Sequence, residues 1–104
     1  MKKTVSISPL AKRQLRQMGE NIKMARLRRD LSIRDVAQRA GLSPNTVVSL
    51  EKGATGVSIG AIANVMHSLG LAEHIGQLGQ NDELGRKLLD LGIIPKKRAR
   101  VQRK

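Results

Sequence analysis

Residues that start and stop helices punctuate this chain at short intervals. Ser8-Pro9 and Ser43-Pro44 each place a capping serine before a proline at the first helical position, and Ser32, Ser58 and Asp82 supply further caps. Gly41, Gly53 and Gly70 stand where left-handed residues would end the segments between them. Within those segments apolar residues recur at three- and four-residue steps. The stripes are Leu15, Met18, Ile22 and Ala25 up to about Arg29; Ile33, Val36, Ala37 and Ala40; Val47 and Leu50; Ile59, Ile62, Ala63, Met66 and Leu69. Gly19 lies inside the first stripe and is a candidate point of division into two segments. Leu71, Ile75 and Leu78 suggest a short fifth turn, and Asp82 caps a last helix carrying Leu84, Leu88 and Leu91. The pattern contains no repeat and no long linker, and it predicts an all-α single domain.

Four parts follow: an N-terminal arm at 1–8, a helical body at 9–80, a C-terminal helix at 81–94 and a basic tail at 95–104. In the arm, Thr4-Val5-Ser6-Ile7-Ser8 alternates polar and apolar residues, which fits either a short strand or a frayed end. The tail carries +6 of the formal +12 charge and offers only Ala99 and Val101 as apolar contacts. Such a segment cannot offset its ordering entropy, so it is read as disordered when unbound. The whole chain, 104 residues at +12, is expected to meet a polyanion.

Residues 32–53 are the informative stretch. A helix of about two turns ends at Gly41, and Leu42 leads into a second helix capped by Ser43. Gly41-Leu42-Ser43 is the short turn of a helix-turn-helix, with glycine supplying the positive φ that lets two helices cross steeply. Ala37, four residues earlier, is small enough for close approach. Val47 and Leu50 turn inward, which leaves Asn45, Thr46, Val48, Ser49 and Lys52 outward. Small polar groups at the start of an exposed helix suit the major groove of DNA, where they reach base edges. An ordinary helical hairpin, with Ser, Asn and Thr acting only as caps, is the other reading of this spacing.

The run Gly19-Glu20-Asn21-Ile22 through Leu31-Ser32-Ile33-Arg34-Asp35-Val36-Ala37, then Ala40-Gly41-Leu42-Ser43-Pro44-Asn45-Thr46-Val47 and Leu50-Glu51-Lys52-Gly53, resembles the Cro and phage-repressor (XRE) helix-turn-helix domain. The likeness spans about residues 18–71. It implies a five-helix lambda-repressor-like bundle that binds operator DNA as a homodimer, the C-terminal helix and tail lying beyond it. Asp82-Glu83-Leu84-Gly85-Arg86 and Ile94-Pro95-Lys96-Lys97-Arg98-Ala99-Arg100 are similar to the tails of HipB-type antitoxins. That second likeness implies an antitoxin that represses its own operon and holds a HipA-type kinase toxin. A free-standing phage-type regulator and a protein-interaction module are the alternatives.

The resemblance also implies site residues. Ser43, Asn45, Thr46 and Ser49 fall where that family contacts bases or adjacent phosphates. Ser32 and Arg34 fall beside the sugar-phosphate backbone, where a helix N-terminus favours an anion. Arg28, Arg29, Arg34, Arg39 and Lys52 are the body cations nearest the motif, with Arg39 and Lys52 assigned to phosphate beside Ser32 and Arg34. The sequence departs from many relatives in having Pro44 and Ile33 where glutamines often stand, which shifts weight to methyl contacts and indirect readout. An arginine–glutamate pair is implied at Arg26 and Glu51. From the residues alone, Glu51 near a helix C-terminus opposes the dipole and calls for some cation, with Lys52 or water as other partners. The C-terminal apolar set, Leu69, Leu71, Ile75, Leu78, Leu88 and Leu91, exceeds what a small bundle needs and is the expected dimer surface, completion of the monomer core being the other reading.

Other classes find little support. His67 and His74 are seven residues apart across Gly70 and lack metal-ligand spacing, Asp82-Glu83 suits a helix N-terminus, and Gly53-Ala54-Thr55-Gly56 lacks the Gly-Lys-Ser/Thr of a phosphate loop. No enzyme, metal or cofactor is expected. With no Cys there is no disulfide frame, thiolate zinc site or cysteine nucleophile. Without Phe, Trp or Tyr there is no membrane anchor and no stacking platform for single strands, which favours duplex DNA over RNA. No apolar run approaches a membrane span, and the basic start is not followed by a signal-peptide core. The expected setting is the bacterial cytoplasm, on the nucleoid.

Overall fold

A computed structural model describes residues 6–93. The expectation of a disordered tail at 95–104, and most of the strand alternative for the arm, concern residues outside that range. Six helices and no strand occur among the described residues: α1 Pro9–Arg28, α2 Ile33–Ala40, α3 Pro44–Glu51, α4 Ile59–Ser68, α5 Glu73–Gly76 and α6 Glu83–Asp90. The caps are local hydrogen bonds. Ser8 Oγ accepts from the Ala11 N–H at 3.2 Å, Ser58 Oγ from that of Ala61 at 3.1 Å, and Asp82 Oδ1 from that of Gly85 at 3.0 Å. At the end of α2, Gly41 has φ 69°. Its N–H reaches the Gln38 carbonyl at 3.3 Å, and the Leu42 N–H reaches that of Ala37 at 2.9 Å. This paired closure needs a left-handed residue, and glycine adopts it without a Cβ penalty.

The core joins Ile22 and Ala25 of α1, Val36, Ala37 and Ala40 of α2, Val47 and Leu50 of α3, and Val65 and Leu69 at α4. Helix α2 packs on α3 and α4, α1 packs on α3, and α5 leans on the end of α4. Three alanines among these residues bring the helix axes close, which lets a core without aromatic rings close up.

Three expectations are corrected. First, Gly19 does not divide α1, which is one helix of 20 residues. Gly19 is buried, and a Cβ there would stand 2.5 Å from the Glu51 carbonyl oxygen and 2.6 Å from that of Leu50. The glycine marks where the last turn of α3 crosses α1. Second, of the expected α4 stripe Leu69 is in the core and Ile62 and Met66 pack against it, but Ala61 and Val65 are buried in addition and Ile59 is 64% exposed. Asn64, His67 and Ser68 mark one polar side of α4, but the apolar remainder is wider than the contact, so spacing does not say which part of it α2 covers. Third, Leu69 belongs to the core and Leu71 packs against it. Leu78, between α5 and α6, is exposed, and so are Leu84, Leu88 and Leu91, because α6 takes no part in the main helix packings.

Candidate nucleic-acid interface

Helix α3 has eight residues, a rod of about 12 Å. Val47, Leu50 and Glu51 are its buried side. Asn45 and Lys52 are exposed, and Thr46, Val48 and Ser49 are half-buried along its two flanks. Its start is fixed by Ser43, whose Oγ accepts from the Thr46 N–H at 3.2 Å and lies 2.9 Å from Thr46 Oγ1. One hydroxyl proton is shared inside that pair, which leaves the other to donate outward. No hydrogen bond among the described residues engages the Asn45 or Ser49 side chain. No acidic residue stands in the first turn of α3, so the positive end of its dipole is uncompensated there.

A groove runs along each flank of α3. One, of about 610 Å³, is lined by Asn45, Thr46 and Ser49 of α3 and by Gly56 and Ser58 at the approach to α4. The other, of about 450 Å³, is lined by Val48 of α3 and Lys52 at its C-cap, by Ile33 of α2, and by Arg16, Glu20 and Lys23 of α1. Asn45, Thr46 and Ser49 are thus brought together on one wall, and Lys52 lies across the ridge from them.

The start of α2 is more self-contained. Ser32 Oγ accepts from the Asp35 N–H at 3.0 Å, and Asp35 Oδ2 accepts from the Ser32 N–H at 2.9 Å, a reciprocal capping box. Contact with Ser32, first through its backbone N–H and then through its hydroxyl, holds the Asp35 carboxyl below its ordinary range; Arg39 adds to the effect and desolvation opposes it. A carboxylate therefore already occupies part of the anion position at this terminus. Arg34 and Arg39 are exposed on α2 and line neither groove. Ile33, one of the departures from the family pattern, is half-buried against the core.

Behind the ridge, Arg26 is 7% and Glu51 9% exposed. Arg26 Nε donates to Glu51 Oε2 at 2.7 Å, and a second guanidinium nitrogen donates to Oε1 at 3.1 Å. A third donates to the Leu31 carbonyl at 2.8 Å. One guanidinium thus ties α1 to the last turn of α3 and to the loop entering α2. The planar fork of arginine matches a carboxylate in this way, which lysine cannot do.

Sequence reasoning did not assign Arg16, Lys23 or Ser58 to this surface. Arg16 and Lys23 share a face of α1 at i and i+7, but nothing local says that this face borders α3. Among the described residues no group of His, Cys, Asp and Glu could hold a metal ion. No described helix is long and apolar enough to cross a membrane.

A family model for a helix-turn-helix domain matches residues 17–74, from within α1 to the start of α5. Comparison with curated proteins gave no match. More than half of the chain lies inside the matched region, which includes both helices of the motif and the turn between them. The chain therefore belongs to the helix-turn-helix domain family, of the XRE-like type, whose partner is DNA.

Proposed function

We propose that this protein is a sequence-specific transcriptional repressor that binds an inverted-repeat operator as a homodimer in the bacterial cytoplasm. The observation that carries the proposal is the outer side of α3, where Asn45, Thr46 and Ser49 line one wall and the only acid of the helix, Glu51, is buried. An amide and hydroxyls on the outer side of an α-helix can hydrogen-bond base edges in the major groove. Ser43 joins them at the cap. Arg34, Arg39, Lys52 and the Ser32 hydroxyl serve the phosphates, which set register without reading sequence. One motif covers one half-site, so a two-fold pair fits a palindrome spaced by one helical turn.

The finer reading is an antitoxin that holds a HipA-type kinase toxin and represses its own operon. Its support is the likeness of residues 82–86 and 94–100 to HipB-type tails. A free-standing phage-type regulator shares every feature of α3 and differs only in lacking the toxin.

The test is selection of duplexes from a random pool by the full-length protein, followed by binding to its own promoter fragment. A two-fold symmetric site is expected, with Asn45→Ala losing about 10-fold or more on that site and little on random duplex. If each half neutralises about four phosphates, log affinity falls against log salt with a slope of about −7. An unselective or absent enrichment overturns the repressor reading. Co-purification of a kinase encoded beside this gene separates the antitoxin from the free regulator.

A further inference from the structure

The two flanks of α3 differ in chemistry. The groove on the α4 side has no charged residue in its lining, only hydroxyl, amide and small apolar groups. The groove on the α1 side carries Arg16, Lys23 and Lys52 over a floor that includes Val48. Arg16 is held there by the backbone. A Cβ on Gly53 would stand 2.6 Å from the Arg16 Cα and 3.0 Å from its Cγ, so the arginine stem lies across the end of α3. Among these cations sits Glu20, exposed and four residues beyond Arg16 on the same face of α1. The one salt bridge among the described residues is Arg26–Glu51, so Glu20 is within bonding range of none of the three cations. Arg26 and Glu51, which also line this groove, cancel each other.

A rod in the major groove has one phosphate strand along each side. We infer that the α1-side groove seats one of those strands through Arg16, Lys23 and Lys52, and that Glu20 acts within it as a brake on charge-driven affinity. The inference rests on α3 being the DNA-binding ridge. The strand on this side is held by charge and the strand on the other side by hydrogen bonds, so Arg16 and Lys23 of α1 add to the salt dependence that Arg34, Arg39 and Lys52 supply. A phosphate drawn to the three cations must approach the Glu20 carboxylate, and that repulsion is the same on every sequence. Glu20 thus weakens non-specific retention without altering the preference set by Asn45, Thr46 and Ser49.

The test uses the full chain, a short random-sequence duplex as probe and binding measured between about 50 and 200 mM salt. Glu20→Gln is expected to tighten binding about threefold at the low end, with the gain shrinking as salt rises. Arg16→Gln with Lys23→Gln removes two cations from each half of the dimer and is expected to weaken binding and to reduce the salt slope by about 3.6. Arg86→Gln with Lys87→Gln on α6 removes the same charge away from both grooves and is expected to change the slope by less than half as much. Arg16→Lys restores the slope, which separates charge from folding. If the wild-type chain binds and the α1 pair behaves like the α6 pair, or Glu20→Gln fails to tighten, the inference is overturned while the DNA-binding reading stands. If the wild-type chain binds no duplex at all, that reading falls and takes the inference with it.

Discussion

Replacing Gly19 by alanine sets two effects of opposite sign against each other inside one helix. Alanine is favoured over glycine in a helix interior by about 1 kcal/mol, so local propensity alone makes the variant more stable. The new methyl, however, would stand 2.5 Å from the Glu51 carbonyl oxygen and 2.6 Å from that of Leu50. Ordinary contact begins near 3.4 Å, so the last turn of α3 must retreat by about 0.9 Å. Both obstacles are backbone atoms, which cannot rotate out of the way. The retreat also pulls Glu51 from Arg26, where the bridge is 2.7 Å long. Overpacking of this kind costs about 1–3 kcal/mol, and the strained bridge adds to it. The net expectation is a loss of about 2 kcal/mol, or a melting point lower by about 10 °C for a domain of this size. Gly60→Ala is the matched control: it lies in α4 with nothing within 4 Å of the added Cβ, and it is expected to gain a few tenths of a kcal/mol. Thermal and urea unfolding of both variants read the difference. A Gly19→Ala protein that melts at or above the wild type would show that α1 and α3 do not approach each other as described.

Two further perturbations address the frame around α3. Arg26→Ala leaves the Glu51 carboxylate buried without its partner and should cost about 3–5 kcal/mol in urea unfolding, with DNA binding falling in step. Replacing both residues by methionine should cost less than the single change, and a single variant within about 0.5 kcal/mol of wild type would refute the clamp. Asp35 has a folded pKa held below its unfolded value, so its capping contribution is present above the unfolded pKa and disappears as pH falls through the folded one. The gap in urea midpoint between wild type and Asp35→Ala should therefore close between about pH 5 and pH 2, and a gap independent of pH would count against the capping box.

Capping and turn chemistry made most of the secondary structure legible, because those signals lie within a few consecutive residues. Ser8, Ser32, Ser43, Ser58 and Asp82 all accept backbone N–H bonds at helix starts. Gly41 adopts the left-handed conformation that the motif turn needs. The outward set on α3 was readable for a similar reason, since only Val47 and Leu50 could form its inner stripe. The pairing of Arg26 with Glu51 came into view through the family resemblance, whereas the dipole argument alone left the partner of Glu51 open.

Elsewhere local signals were ambiguous and the neighbour decided. Gly19 looks like a helix breaker because propensity is a property of one helix, yet its place is set by a carbonyl on another. In α4 the apolar side is wider than the contact, so the sequence leaves the buried part of it open and contact with α2 selects Ala61 and Val65 over Ile59. Arg16, Glu20 and Lys23 form an unremarkable charged face until the crossing at Gly19 and Gly53 lays it beside α3. By itself the sequence determined where helices begin and end and which side of α3 is polar, because hydrogen bonds between near neighbours and backbone sterics are encoded locally. Only the tertiary structure decided which faces meet and which charges share a groove, because close packing is a property of two surfaces and neither surface alone contains it.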